Sequence, residues 1–144
     1  MAGFIIRKTR RLCIILASLA ILPSCAGLNE RNKAEALALR VHEHMRLANF
    51  AAIYRESETR FKTVGTESEF VTSMKGFQEQ LGAFKHAEAI GYEVKLDSRI
   101  GKMHQLYFDL EYDRGHVKEN LIMVRSETGK MELWALEIEP LAER

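Results

Sequence analysis

The chain has 144 residues, of which 21 are Lys or Arg and 20 are Asp or Glu, so its formal net charge is +1. A hydrophobic fraction of 47% with 28% charged residues is typical of one globular domain. This length excludes a multidomain enzyme and a multi-span transporter, and a count of two cysteines excludes a disulfide-stapled mini-protein. Composition does not identify an activity.

Residues 1–24 have the features of a secretory signal peptide. Four basic residues and no acidic one precede the apolar run Leu12–Leu22, which is followed by Pro23-Ser24-Cys25. A basic start, a short apolar run and a small residue before the cleavage site are typical of such a signal. Eleven residues rise only about 16 Å as a helix, too short for a hydrocarbon core of about 30 Å. We therefore predict a cleaved leader, with an uncleaved membrane anchor as the alternative.

The end of this leader, Leu22-Pro23-Ser24-Cys25, resembles the lipobox of bacterial lipoproteins. Leu lies three places before the Cys and a small residue directly before it, although Pro departs from the residues usual at the middle position. The resemblance implies that Cys25 carries fatty acyl chains such as palmitate and becomes the first mature residue. Ala26, and not Asp, follows it, which by the same analogy implies the outer membrane, facing the periplasm.

Cleavage would change both the cysteine count and the charge. Cys13 would leave with the leader and the Cys25 sulfur would carry lipid, so no free thiol would remain for nucleophilic catalysis, zinc binding or a disulfide. Losing four basic residues leaves 17 Lys+Arg against 20 Asp+Glu, a net charge of −3. This balance gives no basic footprint for nucleic acid, and it leaves the acyl chains to hold the protein on the membrane. Residues 25–32 are predicted to be a tether and residues 33–140 a domain.

Three helices are predicted in the first half of the domain. The first has apolar residues at steps of three and four: Ala34, Leu37, Ala38, Val41, Met45 and Ala48. A shorter one is indicated by Phe50, Ile53, Tyr54 and Phe61. Thr66 and Glu69 form a predicted capping box that opens a third helix. Its stripe contains Phe70, Met74, Phe77 and Leu81, and Gly82 is suited to end it.

The second half has the two-residue period of strands. Tyr92, Val94 and Leu96 alternate with polar residues, and Phe84–Ile90 is a further possible strand that would also tolerate helix. A second strand, from His104 to Tyr112, places Leu106, Phe108, Leu110 and Tyr112 on one face and Gln105, Asp109 and Glu111 on the other. Turns at 113–116 and 127–130 then separate strands Val117–Arg125 and Met131–Ile138, the last ending at Pro140. We predict an α+β fold of three helices packed on an antiparallel sheet of about four strands.

This element order resembles the nuclear-transport-factor-2-like superfamily, with its cystatin-like cone. The resemblance covers roughly residues 33–139 and also rests on Phe50-x-x-Ile53-Tyr54, Phe61, Phe70 and Leu81-Gly82-x-Phe84. It implies helices folded against the concave face of a curved sheet. A cystatin-like sheet with a single helix is the alternative, which accounts poorly for three helical stripes. No catalytic motif defines the superfamily, so the resemblance does not assign a function.

Residues that could carry chemistry are few. His42 and His44 point about 200° apart on a helix and cannot share an ion, so we predict no metal site, and no phosphate-loop or nucleophile-elbow motif indicates a cofactor. Asp109 and Glu111 should point away from a cavity, which removes the obvious base of an isomerase. Five residues with polar tips could line a cavity inside the cone: Tyr54, His86, Tyr92, His104 and Trp134. The alternative is that these side chains only fill the core.

The last two strands are apolar on both faces, whereas helices can cover only one. The sequence therefore suggests an outer patch that contacts a second subunit or another envelope protein, formed by Leu121, Met123, Met131 and Leu133. The alternative is a central strand with scattered exposed apolar residues.

These observations favour a non-enzymatic envelope lipoprotein that binds a partner protein or a small apolar ligand. The alternative is a periplasm-facing enzyme of the ketosteroid-isomerase type, which the resemblance allows. An inward Asp, Glu or His within reach of Tyr or Trp, in a pocket open to solvent, would favour the enzyme.

Overall fold

The computed structural model describes residues 25–140, with side chains for residues 28–139. It has three helices followed by four strands, which confirms the predicted α+β class. The helices are α1 (Cys25–Arg46), α2 (Phe50–Glu56) and α3 (Glu67–Leu81), with a 3₁₀ turn at Phe61–Thr63. The strands are β1 (Phe84–Asp97), β2 (Gly101–Tyr112), β3 (Gly115–Arg125) and β4 (Met131–Pro140).

The described strands form one antiparallel sheet in the order β1-β2-β3-β4. In such a meander, the β1–β2 and β3–β4 turns lie at one end of the sheet and the β2–β3 turn lies at the other. The inner face is covered by the helices. On β2 this face carries Leu106, Phe108, Leu110 and Tyr112, all buried as the alternation predicts.

The first helix lies on the inner face through its predicted stripe. Five of the six stripe residues are buried, namely Ala34, Leu37, Ala38, Val41 and Met45. Ala48 is exposed, because α1 ends at Arg46 and Ala48 takes a positive φ of 52° in the following turn.

The beginning of α1 differs from the sequence-based expectation. Residues 25–32, predicted to be a tether outside the domain, belong to the helix. Glu30 binds the sheet, since its carboxylate lies 2.9 Å from Lys102 Nζ and 3.4 Å from Arg125 Nη1. The five helical steps from Cys25 to Glu30 span only about 7.5 Å, whereas the full extended tether would reach about 25 Å.

The third helix begins where the sequence predicts. Thr66 Oγ1 accepts a hydrogen bond from the Glu69 amide at 3.3 Å, and Glu69 Oε2 accepts one from the Thr66 amide at 2.7 Å. This reciprocal pair is the predicted capping box. The helix ends at Gly82, whose φ of 84° suits glycine and whose amide donates to the Gln78 carbonyl.

The first strand is longer than predicted. Phe84–Ile90 and the segment around Tyr92 form one continuous strand, with register irregularities between Phe84 and His86 and between Ala89 and Gly91. Tyr92, Val94 and Leu96 lie opposite Leu106, His104 and Lys102 on the inner face. Only Tyr92 is half-buried, because the described helical layer reaches the sheet only as far as Glu30 and Arg31.

The predicted outer patch is wrong, because its four residues belong to the core. Leu121, Met123, Met131 and Leu133 are at most 6% exposed and lie in the central hydrophobic cluster. On β3, Leu121 and Met123 share the face of Val117, which the helices cover. On β4 a bulge brings Leu133 to the same side: Ile122 pairs with Ala135, Met123 pairs with Leu133, and Trp134 is skipped. One extra residue reverses the side-chain alternation, so Leu133 and Leu136 both face the helices instead of facing opposite ways.

No helix within residues 25–140 is long and apolar enough to cross a membrane. The predicted leader, with Cys13 and lipobox residues 22–24, lies outside the described residues, and so does the Cys25 side chain.

Candidate functional site: the groove between the first helix and the first strand

An acidic residue lies on the inner face of the sheet. On β3 the residues Val117, Glu119, Leu121 and Met123 alternate inward, and each is at most 1% exposed. Glu119 pairs in register with Phe108 of β2 and Ile138 of β4, which places it in the middle of the sheet. A carboxylate in such an apolar setting is destabilising unless it finds a strong partner.

The partner of Glu119 comes from the first helix. His42 lies four residues after Ala38 and three before Met45, so it belongs to the buried stripe of α1. Its Nε2 lies 2.6 Å from Glu119 Oε2, and the two side chains are 8% and 0% exposed. Phe108 meets the imidazole edge-on at 4.6 Å, and Phe84 stacks on it at 5.9 Å between ring centres.

This buried pair is not fully satisfied. Glu119 Oε1 is buried and has no hydrogen-bond partner among the described residues. A buried polar pair often stabilises a fold no better than apolar residues of the same volume, and an unpaired oxygen adds a further cost. The pair is therefore a locally unfavourable feature of the kind that proteins keep at functional sites.

Tyr112 is a further buried polar residue on the inner face, near the end of β2. It is 4% exposed, and burial raises the pKa of its phenol far above the ordinary value, with the negative charge of Glu119 adding to the effect. The Tyr112 hydroxyl therefore stays protonated at any physiological pH.

An open groove of about 760 Å³ runs between α1 and β1, and His42 lies at its base. Its lining is largely apolar and includes Ala38, Leu39, Phe84, Ala87, Leu106 and Phe108. Its rim is charged and polar, with Arg31, Glu35, Glu43, Arg46, Lys85 and His86. A concave apolar surface with one buried polar group at its base is the usual form of a small-molecule site.

One end of the groove is closed by a polar cluster. Tyr92 Oη lies 2.8 Å from His104 Nδ1, and the guanidinium of Arg31 lies 5.0 Å above the Tyr92 ring. His104 Nε2 is 3.7 Å from Glu30, and the Lys102 hydrogen bond to Glu30, followed by the nearby positive charges, lowers the pKa of that carboxyl. Burial lowers the pKa of His104 and outweighs the opposite effect of Glu30, which favours the neutral ring near neutral pH.

A second, smaller cavity of about 350 Å³ lies between the 3₁₀ turn, α3 and β4. Tyr54, Phe61, Phe70 and Trp134 line it, and Tyr54 Oη donates to the Gly65 carbonyl at 2.8 Å. The three smaller rings pack against one another with centres 5.4–6.2 Å apart. We call this second cavity the aromatic pocket; it has no lining residue in common with the groove.

The five predicted pocket residues therefore do not form one site. Tyr54 and Trp134 line the aromatic pocket, whereas His86 and Tyr92 line the groove. His104 is 2% exposed beneath Tyr92. The prediction of one cavity is wrong because the sheet is wide: Trp134 lies on edge strand β4 and His86 on the opposite edge strand β1.

The sequence analysis missed both members of the buried pair. The signal was present for Glu119, because it occupies the inner position of the alternation from Val117 to Met123. On β2, Asp109 faces outward as the alternation predicts, and it binds His116 at 2.9 Å. His42 and His44 do point apart as predicted, since His44 lies 3.3 Å from Glu56.

Among the side chains described, those of residues 28–139, no three His, Cys, Asp or Glu cluster in a way that could hold a metal ion. Among models of protein families, none matches the chain, and a search of the curated proteins finds no match either. The geometry of the groove is therefore the basis of the functional argument.

Proposed function

We propose that the protein is an envelope lipoprotein with a nuclear-transport-factor-2-like domain, which binds a small apolar ligand without transforming it. The observation that carries the proposal is the groove between α1 and β1, with its apolar lining over His42. Its volume of about 760 Å³ lies within the usual range of small-molecule sites, about 300–1,000 Å³.

The polar groups of the groove indicate the kind of ligand. Phe84, Phe108 and Leu106 offer a surface for a hydrocarbon or ring system, and His42 offers an imidazole oriented by Glu119. The rim carries both signs of charge, since Arg46 is paired with Glu43 and Lys85 lies 3.4 Å from Asp113, and it therefore favours a polar end of the ligand of either sign. A compact amphiphile with an apolar body and one polar end matches this arrangement.

The ligand site can be tested by filling the groove. Ala89 lines the groove from β1 and is exposed, so Ala89→Trp should add bulk there without disturbing the core. We expect it to abolish binding of a fluorescent fatty-acid probe, measured by titration. Two matched controls should bind as the parent does: Ala36→Trp on the exposed side of α1, and Ser73→Trp in the aromatic pocket.

Each control has a defined meaning. Loss of probe binding in Ser73→Trp, with binding kept in Ala89→Trp, would move the ligand site to the aromatic pocket. Equal binding in all variants would contradict a groove site and favour the view that the domain binds a partner protein.

One observation favours the alternative function, an enzyme of the ketosteroid-isomerase type. Such chemistry needs an inward acid or base, and the His42–Glu119 pair provides one beneath the groove. Glu119 is 0% exposed behind the imidazole, so His42 would be the group that takes a proton from the carbon next to a carbonyl, with Glu119 stabilising the imidazolium.

This alternative has a direct test. A β,γ-unsaturated ketone incubated with the protein in D₂O would exchange its acidic C–H protons, detectable by NMR, if His42 acts as a base. We expect binding without exchange. Exchange that disappears in His42→Gln, and not in His86→Gln on the rim, would support the enzyme instead.

The membrane anchor is a separate part of the proposal. The lipobox-like residues 22–25 support lipidation at Cys25, on the outer membrane facing the periplasm. Intact-mass measurement of protein isolated from its native membrane should show a chain that begins at Cys25 and carries acyl chains. Cys25→Ser should leave the leader uncleaved, and an unmodified thiol in the parent would contradict the anchor.

A further inference from the structure

Apolar residues are exposed at the end of the molecule where α1 begins. Leu28 on α1 is 67% exposed, and on β1 Leu96 is 82% and Val94 46% exposed. We call these three residues, together with the β1–β2 turn at residues 98–100, the hairpin end. Leu96 and Val94 face the helical side of the sheet, a side that elsewhere forms the core.

These residues lie toward the same end of the molecule because α1 runs antiparallel to β1. His42 stacks on Phe84, and Arg31, earlier in the helix, lies over Tyr92, later in the strand. Leu28 is one helical turn before Arg31, and Val94 is two residues after Tyr92, so both lie further toward the same end. Leu96 follows on the same face of β1.

The turn at this end is held in a defined shape. Asp97 Oδ1 accepts hydrogen bonds from the amides of Arg99 at 2.7 Å and Ile100 at 2.9 Å. These two bonds lower the pKa of the Asp97 carboxyl, so it stays ionised and keeps the turn closed near neutral pH. The apolar residues beside the turn are therefore displayed on a fixed support.

The proposed lipid anchor lies at the same end. The helix begins at Cys25, only three residues and about 4.5 Å of helix before Leu28. Glu30 fixes this first part of α1 to Lys102 and Arg125. Acyl chains on Cys25 would thus hold the hairpin end against the bilayer and would not act through a long flexible tether.

We propose that the hairpin end docks on the lipid surface, with Leu28, Val94 and Leu96 entering the headgroup region. This inference rests on the proposed anchor at Cys25. Apolar side chains beside the exposed Arg99 suit such an interface, since a long basic side chain extends toward phosphates while its apolar neighbours bury. Docking would place the Arg31–Tyr92 end of the groove next to the membrane.

A single nitroxide label can test this contact. The mature lipidated protein would carry no other free thiol, so Leu96→Cys and the control Lys118→Cys can each be labelled at one position. Lys118 is exposed on the outer face, next to the β2–β3 turn at the opposite end of the sheet. The protein is placed in vesicles of phosphatidylethanolamine and phosphatidylglycerol, and label accessibility to oxygen and to a water-soluble nickel chelate is measured.

We expect the oxygen-to-nickel accessibility ratio to be several-fold higher at residue 96 than at residue 118. Equal, water-like ratios in protein whose mass shows lipidation would overturn the docking while leaving the anchor intact. A residue-96 label shielded from both reagents would also overturn it, because a second protein chain would then cover the hairpin end. A second labelled thiol, at Cys25, would overturn the anchor and this inference with it.

Discussion

His42 and Glu119 are separated by 77 positions in the chain, and their side chains meet in the core with His42 Nε2 2.6 Å from Glu119 Oε2. Both are buried, and the second carboxylate oxygen has no partner among the described residues. An apolar pair of the same size would pack there at least as favourably. This pair is the feature that most clearly distinguishes the site from an ordinary core.

A double-mutant cycle separates the structural role of the pair from its role in binding. His42→Ala should lower the free energy of unfolding by about 3–5 kcal/mol, because it leaves a buried carboxylate without its partner. The double variant His42→Phe with Glu119→Leu should be about as stable as the parent. Urea denaturation followed by circular dichroism measures both.

The probe titration then completes this experiment. If the pair serves the groove, the stable double variant should lose probe affinity despite its intact fold. A double variant that is both stable and fully able to bind would show that the pair contributes nothing to recognition.

The pH dependence of stability should reflect His104. Burial lowers its pKa from the ordinary value of 6.5, so below that pH the unfolded chain takes up a proton that the folded protein does not. The free energy of unfolding should therefore fall as the pH falls below about 6.5. His104→Gln should flatten the slope of unfolding free energy between pH 7 and pH 5, whereas His86→Gln, at an exposed position, should keep it.

Two glycines should respond in opposite ways to alanine. Gly82 has a φ of 84°, and a Cβ there would lie 2.6 Å from Asp113 Cβ, so Gly82→Ala should destabilise the protein by more than about 1 kcal/mol. Gly76 lies inside α3 with open space around it, so Gly76→Ala should stabilise by about 0.5–1 kcal/mol. Thermal unfolding of both variants checks the signs, and a stabilised Gly82→Ala would contradict the geometry described for the end of α3.

Local patterns predicted the parts of the fold that depend on near neighbours. The stripe from Ala34 to Met45 and the capping box at Thr66 and Glu69 are set by residues three and four apart, and the structure confirms them. The alternation from Leu106 to Tyr112 also holds. The alternation of β3 likewise places Glu119 at an inward position.

The predictions that were wrong concern places where a strand departs from its two-residue alternation, or where distant segments of the chain meet. The skipped residue Trp134 reverses the facing of β4, so Met131 and Leu133 became core residues and not an outer patch. No local signal marks that bulge, because it arises from pairing with β3. Likewise, Tyr54 and His86 line separate cavities, because the placement of the helices and the width of the sheet keep the two residues apart.

By itself, the sequence determined the α+β class, the order of the elements and most of the inward-facing residues, because hydrophobic periodicity is a property of short stretches of chain. Only the tertiary structure decided that His42 meets Glu119, that a groove lies above them, and that Leu28 and Leu96 share one exposed end. Those relationships come from packing between segments far apart in the chain, where strand register and helix position fix the distances.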